Sequence, residues 1–170
     1  MIRLVPNRYF EFSLNLLHKM DLQMGNFLRG QLLDAIIFGV MSVGVLWCLG
    51  VKYFLVIGII AGFANLIPFL GPVAGALAAV SVSVIDRGDL AGAGLIVAGF
   101  VIMKLIDDTV VQPLVVAKSV DLHPLVVLLV VIVGGRFFGV LGMLLSVPVT
   151  GFMKVVIAES TTALRRYRLT

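Results

Sequence analysis

Charged side chains are scarce in this 170-residue chain, at 13% of residues against 61% hydrophobic. A soluble domain is about a quarter charged. A chain this short leaves much of its surface exposed, and so few polar residues do not cover that surface in water. With a mean hydropathy of +1.15, lipid is the solvent the composition fits. Cysteine is almost absent: Cys48 stands alone, which excludes an internal disulfide, and its place in an apolar run predicts a passive buried thiol. Histidine occurs twice, and no His, Cys or Glu cluster has metal-ligand spacing. Nor is there a Gly-x-Ser-x-Gly elbow or a phosphate loop, so neither enzymatic chemistry, metal nor cofactor is expected. Residues 1–31 lack the hydrophobic core of a secretory signal.

The net charge of +4 does not mark a nucleic-acid binder, because basic and aromatic residues are not interleaved on a polar face. Instead Arg3, Arg8, Lys19 and Arg29 precede the first apolar run, and Arg165, Arg166 and Arg168 follow the last. By the positive-inside tendency both flanks are cytoplasmic, which requires an even number of full crossings.

Within that frame residues 1–31 read as an amphipathic cytoplasmic or interfacial helix. Phe10, Leu14, Leu17, Met20, Met24 and Phe27 recur at three- and four-residue steps. Residues 32–158 read as the membrane domain and 159–170 as a basic cytoplasmic tail. Leu32–Gly50 is long enough to cross about 30 Å of hydrocarbon, and Val51 and Lys52 then turn the chain. Tyr53–Leu70 is equally apolar, but Asn65, Pro68, Gly71 and Pro72 interrupt it before Val73–Ile85. Proline removes a backbone donor and glycine permits unusual dihedrals, so a broken helix is expected there. In a bilayer such irregular backbone needs cover from protein or from a water-filled cavity.

Asp86, Arg87, Gly88 and Asp89 form a polar loop, and Leu90–Ile106 is a further span that ends with Lys104, Asp107 and Asp108. Thr109–Val120, with Gln112, Pro113, Lys118 and Ser119, suits a short connecting element. Leu122–Val133 is too short to span alone; Gly134, Gly135 and Arg136 join it to Phe137–Ile157, which contains Pro148. Half-length apolar pieces joined by glycine read as a re-entrant hairpin or discontinuous helix. The fold class is thus an all-α integral membrane protein, a polytopic helical bundle with broken or re-entrant helices. Whether Tyr53–Ile85 and Leu122–Ile157 each cross twice stays open at this point.

Lys104, Asp107 and Asp108 are the charges nearest a span outside the basic flanks. One reading puts them at the interface, with Lys104 snorkelling and neutralised by Asp108 on the same helix face. The other has them line a substrate or ion route, since charge at membrane depth costs at least ~2.5 kcal/mol. His123, just before Pro124, either relays protons or caps the helix that follows. Gly58 with Gly62, Gly71 with Gly75, Gly88 with Gly92, and Gly135 with Gly139 have the spacing of close helix contacts.

Several stretches also resemble a known family. Ala64-Asn65-Leu66-Ile67-Pro68-Phe69-Leu70-Gly71-Pro72 resembles the hallmark segment of AI-2E-type (autoinducer-2 exporter-like) transporters. Arg29-Gly30-Gln31, the block from Asp107 through Pro113 and Lys118 to Leu122-His123-Pro124-Leu125, and Gly134-Gly135, Gly139, Gly142 and Val147-Pro148 resemble further family signatures in the same order. Thr109 stands where the family usually carries Asn.

The resemblance implies a multi-pass permease or exporter in the bacterial cytoplasmic (inner) membrane, assembled as a homo-oligomer. Its partners would be the bilayer and a small polar substrate or ion, with coupling to protons or sodium. Family members are about twice this length, so the chain corresponds to their C-terminal half, as a truncated product or a gene fragment. The pathway candidates are Asn65, Pro68, Gly71, Pro72, Lys104, Asp107, Asp108, Pro113, His123, Pro124, Gly134, Gly135, Arg136 and Pro148. A non-transporting scaffold and a channel are the other readings; a scaffold would tolerate apolar residues at Asn65, Asp107 and Asp108.

Overall fold

The computed structural model describes residues 7–88, 90–115 and 123–167. Asp89, the stretch 116–122 with Lys118, and the ends 1–6 and 168–170 lie outside the described residues. So do the side chains up to residue 21 on which the amphipathic face over 1–31 rests.

Every regular element described is helical: α1 (Asn7–Cys48), α2 (Phe54–Ala64), α3 (Leu70–Arg87), α4 (Leu90–Ile106), a π-helical turn (Asp107–Val111), α5 (Gln112–Val115) and α6 (Pro124–Tyr167). α1 runs unbroken across residue 31, because no proline or helix-terminating glycine motif separates its mixed first half from its apolar second half. By length and composition Met24–Cys48 is apolar enough to cross a membrane as one helix; Leu125–Lys154 is as apolar but contains a bend at Gly139.

α1 ends where the residues require it. The Gly50 amide donates to the Trp47 carbonyl and the Val51 amide to that of Leu46, with Gly50 at φ 64°. This is a Schellman ending, sealed by the buried pair Leu46 and Val51. Cys48, in the last turn of α1, is exposed. The expectation of a buried thiol is therefore corrected: an apolar run fixes the surroundings of a helix, not which of its faces is covered.

α2 and α3 form a hairpin. Lys52, just before α2, pairs with Asp86 at the far end of α3, so the segment Tyr53–Ile85 returns to the side where it began. A Cβ on Gly75 would lie 2.7 Å from the Ala61 Cβ, and Ile57, Ala61 and Ala79 share one core. α1 packs across the face of α2. A Cβ on Gly62 would lie 2.8 Å from the Gly39 Cα and 2.9 Å from the Ala35 carbonyl oxygen. The expected small-residue pair Gly58 and Gly62 thus lies in the α1–α2 contact, where the two backbones approach closely. α4 closes this body through Ile96, Phe100 and Met103.

α6 is two helices meeting at Gly139, whose φ of 61° and ψ of −146° are not helical. In a continuous helix Gly134 and Gly142 would stand about 12 Å apart; here each backbone blocks the space a Cβ on the other would need. The chain folds back on itself. Its first arm, residues 124–138, is about 22 Å long, too short to cross alone. This hairpin meets the rest of the fold where Val131 and Val147 pack against Phe27 of α1 and Ile67 of the α2–α3 break.

The outer faces are apolar. Phe63 of α2 is 71% exposed, Leu114 78% and Phe138 at the α6 bend 78%. A single such residue means little, but a surface made of them is built to meet lipid or other helices.

Candidate functional site

Buried polar side chains collect at one level of the fold, supplied by three elements. From α1 come Gln31 and Asp34. The α2–α3 break gives Asn65, with Phe69 and Gly71, and the π turn gives Asp107, joined by the half-buried Lys104 of α4 and Gln112 of α5 and by the exposed Asp108. Asp34 lies about four turns before the end of α1, and Lys104 about four turns after the start of α4, each roughly 21 Å along its helix. The junction is therefore far from the end marked by the Lys52–Asp86 pair.

The break is built around Asn65. α2 stops at Ala64, three short turns follow over residues 65–69, and Phe69 takes a left-handed φ of 69° before α3 begins. Pro68 sits within this non-helical stretch, while Pro72 falls in the first turn of α3, where a missing amide costs no helical bond. The freed backbone is satisfied from α1: the Gln31 side chain donates to the Asn65 carbonyl at 2.8 Å. The Asn65 side-chain amide in turn donates to Oδ2 of Asp34 at 2.9 Å. Gly71 makes room for this, since a Cβ there would sit 2.6 Å from the Asn65 Oδ1.

The other side of the junction rests on a helix defect. Pro113 has no amide, and its ring crowds the carbonyl four residues earlier, so the preceding turn widens into the π form. Widening puts residues five apart on one face. The Gln112 amide donates to Oδ2 of Asp107 at 3.3 Å and to Oδ1 of Asp108 at 3.2 Å. Lys104 pairs with Asp107 at 3.0 Å and Asp108 at 2.7 Å, and its ammonium stands 5.6 Å from the centre of the Phe69 ring. Asp107 is 0% exposed and Asp34 1%. The two side chains are neighbours, and Asp107 is the charged group that acts most strongly on Asp34.

Of the residues predicted from sequence, Asn65, Gly71, Lys104, Asp107 and Asp108 come together here, with Pro68, Pro72 and Pro113 shaping the backbone around them. The others do not join them. His123 is exposed and caps α6, accepting the Leu125 amide on Nδ1 at 3.3 Å, with Pro124 as the first helical residue. Gly134 and Gly135 pack inside the α6 hairpin, Pro148 is buried in its second arm, and Arg136 is exposed.

Sequence reasoning missed Asp34, Gln31 and Gln112. Lys104, Asp107 and Asp108 are not the only charges off the flanks: Asp34 lies inside the first span. The signal was present, for an ionisable residue within an apolar run is a functional candidate by itself. Gln31 was visible only as part of the Arg29-Gly30-Gln31 signature.

The AI-2E family transporter model matches residues 1–162. Two relatives from Bacillus subtilis (strain 168) are the putative transport proteins YrrI, 31% identical over 90% of this chain, and YueF, 33% identical over 90%. The AI-2 transport protein TqsA of Escherichia coli (strain K12) is 31% identical over 74% of the chain. The matched region spans 43% of YrrI, 41% of YueF and 36% of TqsA, so the chain covers less than half the length of these relatives. A match over nearly the whole chain, joined to a broken helix at the hallmark Asn65–Pro72 segment, settles its membership: the chain belongs to the AI-2E transporter family.

Proposed function

We propose that this chain is the C-terminal part of an inner-membrane permease that moves a small polar molecule or ion, with the buried junction as its binding and coupling centre. One observation carries the reading. In a fold whose exterior is apolar, two carboxylates and two amide side chains are buried where a helix is interrupted, with a half-buried ammonium and a half-buried amide, Lys104 and Gln112, bonded to them. Polar groups at such depth are costly and are held where a pathway needs them. Broken helices supply both free backbone groups and a position to bind from.

The proposal carries a topology, which the two hairpins support. With both termini cytoplasmic, α1 makes one full crossing and α4 through α5 the return. The α2–α3 hairpin enters and leaves on the outer side and the α6 hairpin on the inner side, consistent with basic flanks at both ends. The junction then lies where the outer hairpin reaches its deepest point. TqsA is named for AI-2, which supports a small polar solute here, and the homo-oligomeric assembly expected of the family belongs to the same reading.

Proteoliposome flux tests this, with the chain alone and with a form extended by the preceding helices of a relative. Transport by the extended form, abolished by Asp107→Asn with Asp108→Asn, is the expected result. Undiminished flux in that double variant would take the junction out of the pathway.

A further inference from the structure

Every buried oxygen of the neighbouring carboxyls Asp34 and Asp107 is accounted for except one on each. Oδ2 of Asp34 accepts from Asn65, and Oδ2 of Asp107 accepts from Lys104 and Gln112. Oδ1 of Asp34 and Oδ1 of Asp107 are both buried and have no hydrogen-bond partner among the described residues. A buried carboxylate oxygen without a donor is among the most costly groups a fold can hold. Here two of them sit on neighbouring side chains. We propose that Asp34 and Asp107 together form a one-proton site: a proton taken from water makes one Oδ1 a donor and the other its acceptor.

The charges around the pair support a proton rather than a metal. The groups facing Asp34 are Asp107 and Asp108 from the π turn and Lys104 from α4, with Asn65 from the break. Three carboxylates against one ammonium leave two excess negative charges, and one bound proton halves that. Like carboxylates in contact do not both ionise readily. Among the described residues no group of three acidic, His or Cys side chains is placed to hold a metal ion.

Occupancy also has a mechanical consequence. With the proton present, an O–H···O bond ties α1 to the π turn. When it leaves, two carboxylates face each other and repel, and Asn65, bonded to Asp34, is drawn into any movement of α1. Proton binding thus acts on the Asn65–Pro72 break, which deepens the permease reading and rests on it. The site itself is testable without transport.

The test is infrared spectroscopy of the full chain in lipid nanodiscs, following the C=O band of protonated carboxyl groups through a pH titration. Wild type is expected to carry this band at neutral pH and lose it on alkalinisation. Asp34→Asn and Asp107→Asn each remove it, because the new amide donates to the remaining carboxylate in place of the proton. Asp108→Asn keeps it. A wild-type chain with no such band at neutral pH overturns the proposal whether or not the variants fold, as does a band that survives both Asp34→Asn and Asp107→Asn. A pair that stays ionised and instead takes up sodium overturns it equally. If the band behaves as expected but flux fails, the permease reading falls and the proton site stands.

Discussion

Replacing Gly71 by alanine asks whether the α2–α3 break depends on one missing methyl group. The Gly71 Cβ position lies 2.6 Å from both Cβ and Oδ1 of Asn65 and 2.8 Å from its Cα. Contacts that short do not occur between real atoms, so Asn65 or the start of α3 must shift. Asn65 cannot give way cheaply. It is 2% exposed, its carbonyl is held by Gln31 and its amide by Asp34. Overpacking a close-packed site costs about 1–3 kcal/mol, and leaving the buried Asp34 oxygen without its donor adds to that. Gly94 provides the control. It lies in α4, and a Cβ there meets nothing within 4 Å, so Gly94→Ala gains up to about 1 kcal/mol of helix propensity. The two variants should therefore differ by at least about 2 kcal/mol, a factor of roughly 30 in the folded-to-unfolded ratio. Reversible denaturation of the chain in mixed micelles, followed by circular dichroism, measures the gap. Equal stability of the two variants would refute the claim that Gly71 is there to admit Asn65.

Lys104→Met leaves the buried Asp107 without its cation and should cost about 3–5 kcal/mol. Adding Asp107→Asn should recover most of the loss, and a double variant no better than the single one in the same denaturation assay counts against the pairing. Gly139→Ala meets no neighbouring atom, yet it forces a Cβ onto a backbone at φ 61° and ψ −146°. The expected cost is about 1–3 kcal/mol from strain alone. Spin labels on the two arms of α6 should show their separation widening, and an unchanged distance distribution with unchanged stability would mean that the bend does not need glycine.

How much was legible depends on whether a residue acts along the chain or across it. The broken helix at Asn65–Pro72 was readable because proline and glycine impose local geometry wherever they stand; a fold-back between Leu122 and Ile157 was readable too, but the expected joint at Gly134–Arg136 is helical and the bend falls at Gly139. The Lys104–Asp108 pair was readable for the same reason, since helix spacing alone puts residues four apart on one face. Asp107 meeting Gln112 was not, because that contact needs the π turn, and the turn arises from Pro113 acting backwards on the helix before it. Exposure of Cys48 was equally hidden, since an apolar run does not say which face is covered.

Asp34 is the instructive case, for its type and depth were plain in the sequence but its partners were not. It accepts from Asn65, 31 positions away, and its strongest charged neighbour is Asp107, on a different helix. No periodicity links such positions. What links them is the cost of burying a charge: a carboxylate inside an apolar helix has to find donors, and the two helix defects bring buried polar groups to that level from other elements. The defect at Asn65 supplies one donor and the defect at Pro113 brings a second carboxylate, so the two irregularities and the buried acid form one structure. On this view neither defect can be repaired alone. Straightening the π turn by replacing Pro113 with leucine would rotate Asp107 away from Asp34, and Asn65 would then hold a buried carboxylate that no longer has anything with which to share a proton.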